Sequence, residues 1–458
     1  MSFPDDFTWG VSAASYQIEG AVREDGKGPS VWDVFCRKPG AVWNGHTGDV
    51  ACDHYHRYKE DVALMAELGV RAYRLSICWP RVLPEGTGRV SPPGLDFYGS
   101  LIDELLDAGI EPWVTLFHWD YPQALFRRGG WLSPHSPDWF AEFATLMAET
   151  LGDRVTHWIT LNEPQVFIDL GHRTGEHAPG LELTMGEVLQ ASHNVLLAHG
   201  KATQAIRANA GPDCRVGFAP ATQVKMPATD SPEDLEAARQ AMFSVTERSA
   251  FNHTWWMDPV FFGRYPEDGL EFFGKDVPDV QDGDMKTIAQ PMDFFGCNIY
   301  HGRRVRAGAD GRPELVPLPV GYPMTTQMDW PITPECLYWG PRLFHERYGS
   351  PIVITENGHQ NADFIMLDGQ VHDPQRIDYL HRHLLELDRA IEDGVPVDGY
   401  FQWTFMDNFE WALGYGVRVG LVYTDYPTQM RVPKDSAYWY RDVIASNGRK
   451  LSESVDET

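Results

Sequence analysis

Apolar residues gather in short, nearly continuous runs that stop on polar or aromatic side chains. Eight such runs recur along the chain, at 9–20, 71–79, 110–120, 157–164, 214–221, 293–301, 351–358 and 397–405. Runs without strict alternation read as strands buried on both faces. Helical patterns lie between several of them. The clearest is 374–393, where Ile377, Leu380, Leu384, Leu387 and Ile391 fall at steps of three and four on one stripe. Another is 53–68, stopped by Gly69 as a glycine past a helix end should stop it.

Buried strands alternating with amphipathic helices imply a parallel sheet covered by helices, and eight cycles imply closure. The expected fold is therefore α/β, a single (β/α)8 TIM barrel over residues 1–450. Its elaborated βα loops fall near 20–50, 170–190 and 301–345, and a frayed tail is expected at 451–458.

In such a barrel the chemistry stands at the C-terminal ends of the strands. Those ends carry Gln17 and Glu19, Arg74, His118 and Trp119, Asn162 and Glu163, Asn298 and Tyr300, Glu356 and Asn357, and Trp403, with Glu410 and Trp411 just beyond. Carboxylates, amides, an imidazole and indoles together suit a sugar, whose hydroxyls need donors and acceptors and whose C–H face stacks on an aromatic ring. Glu163 and Glu356 are the pair that could flank a glycosidic bond, one as acid and one as nucleophile or base.

Composition narrows the classes. A net charge of −27 argues against nucleic acid and anionic membranes as partners, since both demand a basic patch. The absence of a long apolar run or a signal-like start makes the expected location cytoplasmic. The six cysteines are dispersed with no CxxC pair, so reduced structural thiols are expected. The pairs His54/His56 and His381/His383 have a spacing that divides each pair between helix faces, so neither a metal nor a cofactor is expected. Most of the 16 tryptophans are expected in the core.

The segments "TLNEP" at 160–164 and "ITENG" at 354–358 come with "FPDDFTWGVSAASYQIEGA", "RLSICWPRVLPEG", "TLFHWDYPQAL", "GCNIY" and "WTFMDNFEWALGYGVRVGLVYTDYPTQMRVPKDS". In this order the chain resembles, over nearly its whole length, the family-one glycoside hydrolases, the retaining β-glucosidase family. The resemblance implies Glu163 as acid/base and Glu356 as nucleophile, with Arg74 and Tyr300 holding Glu356 and the arginine keeping its pKa low. It further implies that Asn162 bonds the sugar 2-hydroxyl, that Gln17, His118, Trp403, Glu410 and Trp411 hold the other hydroxyls, and that Trp330 is the aglycone platform. Asn298 is expected in support, and Trp119 carries the weakest case among the aromatic ligands.

Two departures stand out. Asn298-Ile299-Tyr300 replaces the family's Asn-Tyr-Tyr, and "HQNAD" follows the Thr-Glu-Asn-Gly motif, placing His359 and Gln360 where a leaving group could be touched. Small β-glycosides and oligosaccharides are the expected partners, with glucose preferred over galactose or fucose. The rival readings are a phospho-β-glycosidase, disfavoured by Glu410, a sugar-binding protein on an inactive scaffold, and a metal-dependent barrel hydrolase.

Overall fold

The computed structural model describes residues 3–325 and 327–452. The eight apolar runs form eight strands: β1 (Thr8–Ser12), β2 (Ala72–Ser76), β3 (Glu111–Phe117), β4 (His157–Asn162), β5 (Arg215–Ala219), β6 (Phe294–Ala307), β7 (Ile352–Asn357) and β8 (Val397–Trp403). Each lies parallel to the next. Strand β8 returns to β1 in the register Thr8↔Gly399 through Ser12↔Trp403, which closes the ring. The architecture is a (β/α)8 barrel.

The inside of the ring is filled. Ala72, Trp113, Ile159, Ala219, Phe294, Val353 and Phe401 form one apolar cluster in which small residues face large ones. Gly10 belongs to this layer because a Cβ there would stand 2.4 Å from the Phe401 ring. A plugged interior leaves the ends of the strands as the place for a ligand.

The helices His54–Glu67 and Pro374–Glu392 form where the periodicity predicts them, and Gly69 adopts a left-handed φ of 67°. Leu380, Leu384 and Leu387 are fully buried, each stabilising by about 1.5–3 kcal/mol, while Ile377 and Ile391 at the stripe's margin are half-buried. The same helix also buries Arg376 and His383, which an apolar stripe does not announce.

Two features go beyond the expected ring. A strand at Ala221–Pro227 follows β5 at once and pairs in parallel with the outer half of β6, whose end also pairs antiparallel with Pro313–Leu315, so a three-stranded wall rises above the barrel. The tail expected from 451 is corrected at its start. Arg449–Ser452 forms a 3-10 turn with Leu451 buried, and residues 453–458 lie outside the described residues.

Candidate active site

Strand β7 ends on Glu356 and Asn357. Asn357 donates to the Ile299 carbonyl (2.8 Å) and the Tyr379 hydroxyl (3.0 Å) and accepts from Tyr400 (2.8 Å), which pins the strand terminus. Gly358 must be glycine, since a Cβ there would stand 1.9 Å from the Trp403 carbonyl oxygen. The Glu356 carboxyl is thereby held between two donors, Arg74 Nη1 on Oε1 and the Tyr300 hydroxyl on Oε2, both at 2.7 Å.

Arg74 reaches across the barrel mouth. Besides Glu356 it donates to the Thr355 carbonyl (2.9 Å), to Thr115 Oγ1 (3.2 Å) and, through Nη2, to Asn162 Oδ1 (2.6 Å). Asn298 donates to the same Asn162 oxygen (2.9 Å) and accepts from Thr355 (2.7 Å). The Asn162 amide donates to His118 Nε2 at 3.0 Å, which requires that nitrogen to be unprotonated. Burial and then the Arg74 charge push His118 well below the ordinary histidine value, in agreement with a neutral ring.

Glu163 follows β4 with φ 47° and ψ 61°, and Pro164 starts the next helix at the position where its missing N–H costs nothing. The left-handed backbone, which costs a non-glycine residue on the order of 1 kcal/mol, aims the carboxyl into the cavity. Trp119 (φ 78°) and Trp411 (φ 47°) line the same cavity from left-handed backbone. Burial first, and the charge of Glu356 second, push Glu163 up to about 8.

Glu356 is raised as well, so the expected low value is corrected: burial outweighs the opposing pull of Arg74 and Tyr300. The ordering of the pair survives, because the Arg74 guanidinium and the Tyr300 hydroxyl bond the carboxyl of Glu356. Glu410 is pushed up to about 8 by burial and by Glu356. Of these three buried acids only Glu356 is bonded by the Arg74 guanidinium among the described residues.

A cavity of about 440 Å³ opens over these groups. His118, Trp119, Glu163, Asn298, Tyr300, Trp330, Glu356, Trp403, Glu410 and Trp411 line it. Arg74, Gln17 and Asn162 stand behind its wall, fully buried or nearly so. Gln17 Nε2 faces Asn408 Oδ1 (3.1 Å), the Phe409 carbonyl (2.9 Å) and Glu410 Oε2 (3.3 Å), while its Oε1 has no partner among the described residues. Trp330 packs its ring 4.9 Å from Tyr300 and 5.4 Å from His301. Trp119, the weakest expectation, donates to the Asn162 carbonyl (3.0 Å) and packs 4.5 Å from Trp411.

Other candidates fall elsewhere. Glu19 is turned away, bonded to Arg81 (2.8 Å) and Tyr98 (2.5 Å). His359 packs on Tyr379, whereas Gln360 lines the cavity. His54 bonds Asp61, His56 bonds Asp53 and Glu24, His381 bonds the Leu451 carbonyl and His383 the Tyr379 carbonyl. Thr222, Gln223, His301 and Gln327 also line the cavity and went unread in the sequence. The first three belong to the wall above the ring; the signal for Thr222 and Gln223 was the polar alternation of "ATQVKMP", and that for His301 its place at the end of the run 293–301.

The model for glycosyl hydrolase family 1 matches residues 1–449. The chain belongs to glycosyl hydrolase family 1. The β-glucosidase A of Thermotoga maritima is 46% identical over 97% of this chain and 98% of its own length. An aryl-phospho-β-D-glucosidase of Bacillus subtilis is 40% identical over 98% of each chain. The solved β-glucosidase of Thermotoga maritima in complex with glucoimidazole superposes with a TM-score of 0.89, at 46% identity over 98% of this chain and 99% of that one. As a family 1 member the chain is a glycoside hydrolase, and its barrel end offers what that chemistry needs: a carboxylate held by a cation, a second carboxyl that keeps its proton, and indole faces beside them.

Proposed function

We propose that the chain is a retaining β-glucosidase, releasing terminal β-D-glucosyl residues from β-glucosides and short cello-oligosaccharides, with galactosides or fucosides as secondary substrates. Glu356 attacks the anomeric carbon as the bond to the leaving oxygen breaks, and Glu163 gives that oxygen its proton. Water then loses a proton to Glu163 and attacks the same carbon, which frees Glu356 and yields glucose with its configuration retained. The observation that carries this reading is the inequality of two carboxyls on one cavity: Glu356 is bonded by Arg74 and Tyr300, and Glu163 is held protonated up to about 8. Asn162, Gln17, His118, Trp403, Glu410 and Trp411 bind the glucosyl unit, Asn298 holds Asn162, and Trp330 faces the leaving group.

The aryl-phospho relative raises a second reading, a 6-phosphoglucosidase. Glu410 and Gln17 stand at the β1/β8 side of the cavity, where a phosphate would meet a carboxyl rather than a cation, and this favours neutral glucose. The chain works inside the cell on this proposal, since all six cysteines are free thiols and five of them are buried. Initial rates on 4-nitrophenyl β-glucoside and on its 6-phosphate test it: cleavage of the first and not the second is expected, and the reverse would overturn it.

A further inference from the structure

The wall above the ring carries charges that the hydrolysis does not use. Lys225 and Arg303 are direct partners in the register between the strand Ala221–Pro227 and β6, so their side chains leave the same face of the sheet. Gln223 and His301, two positions earlier on the same face, line the cavity. Two residues at about 3.3 Å each carry that face outward from the leaving-group side, about the length of one sugar ring.

Like charges set opposite each other on neighbouring strands destabilise a sheet. Burial, reinforced by Arg303 and opposed by Glu247, lowers the pKa of Lys225, and both cations act on His301. Glu247 is exposed and makes no ion pair with Lys225 among the described residues. Arg303 Nε is buried without a hydrogen-bond partner among them, as is His301 Nδ1. In a chain of net charge −27 with 65 acidic residues, two adjacent half-buried cations lacking a bonded acid are out of keeping with their surroundings.

We propose that Lys225 and Arg303 form an anion subsite for the leaving group, so that the enzyme takes β-glucosides whose aglycone carries a carboxylate, such as an aldonic or uronic acid. Arg303 and Lys225 donate to the carboxylate while the carbon chain or ring of the aglycone lies against Trp330, and Glu163 and Glu356 act on the linkage unchanged. This rests on the glucosidase reading above but concerns the opposite side of the cavity from Gln17 and Glu410.

The test compares cellobionate, an anionic leaving group, with cellobiose. The kcat/KM for cellobionate is expected to equal or exceed that for cellobiose. In a K225Q/R303Q variant the cellobionate-to-cellobiose ratio should fall about tenfold, roughly threefold for each partly exposed charge. A ratio unchanged within about twofold would overturn the subsite. If that variant does not fold, the unaltered enzyme gives the same answer: raising NaCl from about 0.01 to 1 M should lower the ratio, and a salt-independent ratio would overturn it. Cleavage of neither sugar, nor of 4-nitrophenyl β-glucoside, would instead strike the glucosidase reading itself. A preference for the glucoside 6-phosphate that disappears in the variant would assign the two cations to the glycone and refute the proposal.

Discussion

Two buried clusters of charge face each other through the loops after β7 and β8, and each contains three acids. At the cavity, Arg74 bonds Glu356 alone of the three glutamates Glu163, Glu356 and Glu410, and burial drives Glu163 and Glu410 up to about 8. Behind it, Asp363, Asp373 and Asp407 meet Arg376, Lys434 and Arg418: Lys434 bonds Asp363 (2.5 Å) and Asp407 (2.8 Å), Arg376 bonds Asp373 (2.8 Å) and Asp363, and Arg418 bonds Asp407 (3.2 Å). There Lys434 and Arg376 outweigh burial at Asp363 and hold it below its ordinary value, whereas at Asp373 burial outweighs the same two cations and raises it. Burial is common to both, so the number of bonded cations sets the direction: Asp363 with two is lowered, Asp373 and Glu356 with one are raised, and Glu163 and Glu410 with none rise to about 8. The balanced cluster fixes the loops, and the starved one keeps protons available near neutral pH.

Removing the acid that holds the cation should have the largest effect. On the proposed mechanism, Glu356→Gly lowers kcat by roughly 10⁴-fold or more, and added azide restores turnover as α-glucosyl azide. A β-configured product, or activity left intact, would contradict the assignment. Lys434→Met is expected to act on folding instead. It leaves Asp363 and Asp407 without a shared cation and should destabilise by about 3–5 kcal/mol, read as a lower denaturation midpoint. If it lowers kcat on a protein of unchanged stability, the division between the clusters is wrong.

The smallest effect is a pair of opposite pH slopes. Glu163 and Glu410 bind protons more tightly folded than unfolded, so their contribution to stability is full below the ordinary value of 4.5 and is lost as pH rises to about 8. Asp363 runs the other way, its contribution being present above its ordinary value of 3.8 and lost as pH falls through its lowered one. Urea denaturation of an E163Q/E410Q variant should therefore show a flatter decline between about pH 5 and 8 than the unaltered protein. An equal slope would mean that these acids titrate normally.

Much of this was readable beforehand. The eight strands announced themselves because burial on both faces demands continuous apolar runs, and the helix Pro374–Glu392 because its stripe repeats at the helical period. The catalytic candidates were readable because they end those runs on charged or amide groups. What stayed hidden depends on distance in space. Lys434 and Asp363 are 71 positions apart, and each read singly as an ordinary charged residue. The raised pKa of Glu356 was hidden for the same reason: Arg74 could be named as its partner, but the depth of burial that outweighs it exists only in the folded barrel. The strand Ala221–Pro227 was missed because it follows Pro220 directly and its apolar positions are mixed with Gln223 and Lys225.

The left-handed backbone at Glu163 also matters to anyone who would run the enzyme as a synthetic tool. Glycine enters that conformation without the penalty a side chain incurs, whereas Glu356 sits in the extended backbone of β7, where glycine loosens the strand. The two carboxyls can therefore be carved out on unequal terms. A Glu163→Gly catalyst, which keeps its nucleophile and accepts activated donors, should be the sturdier coupling reagent.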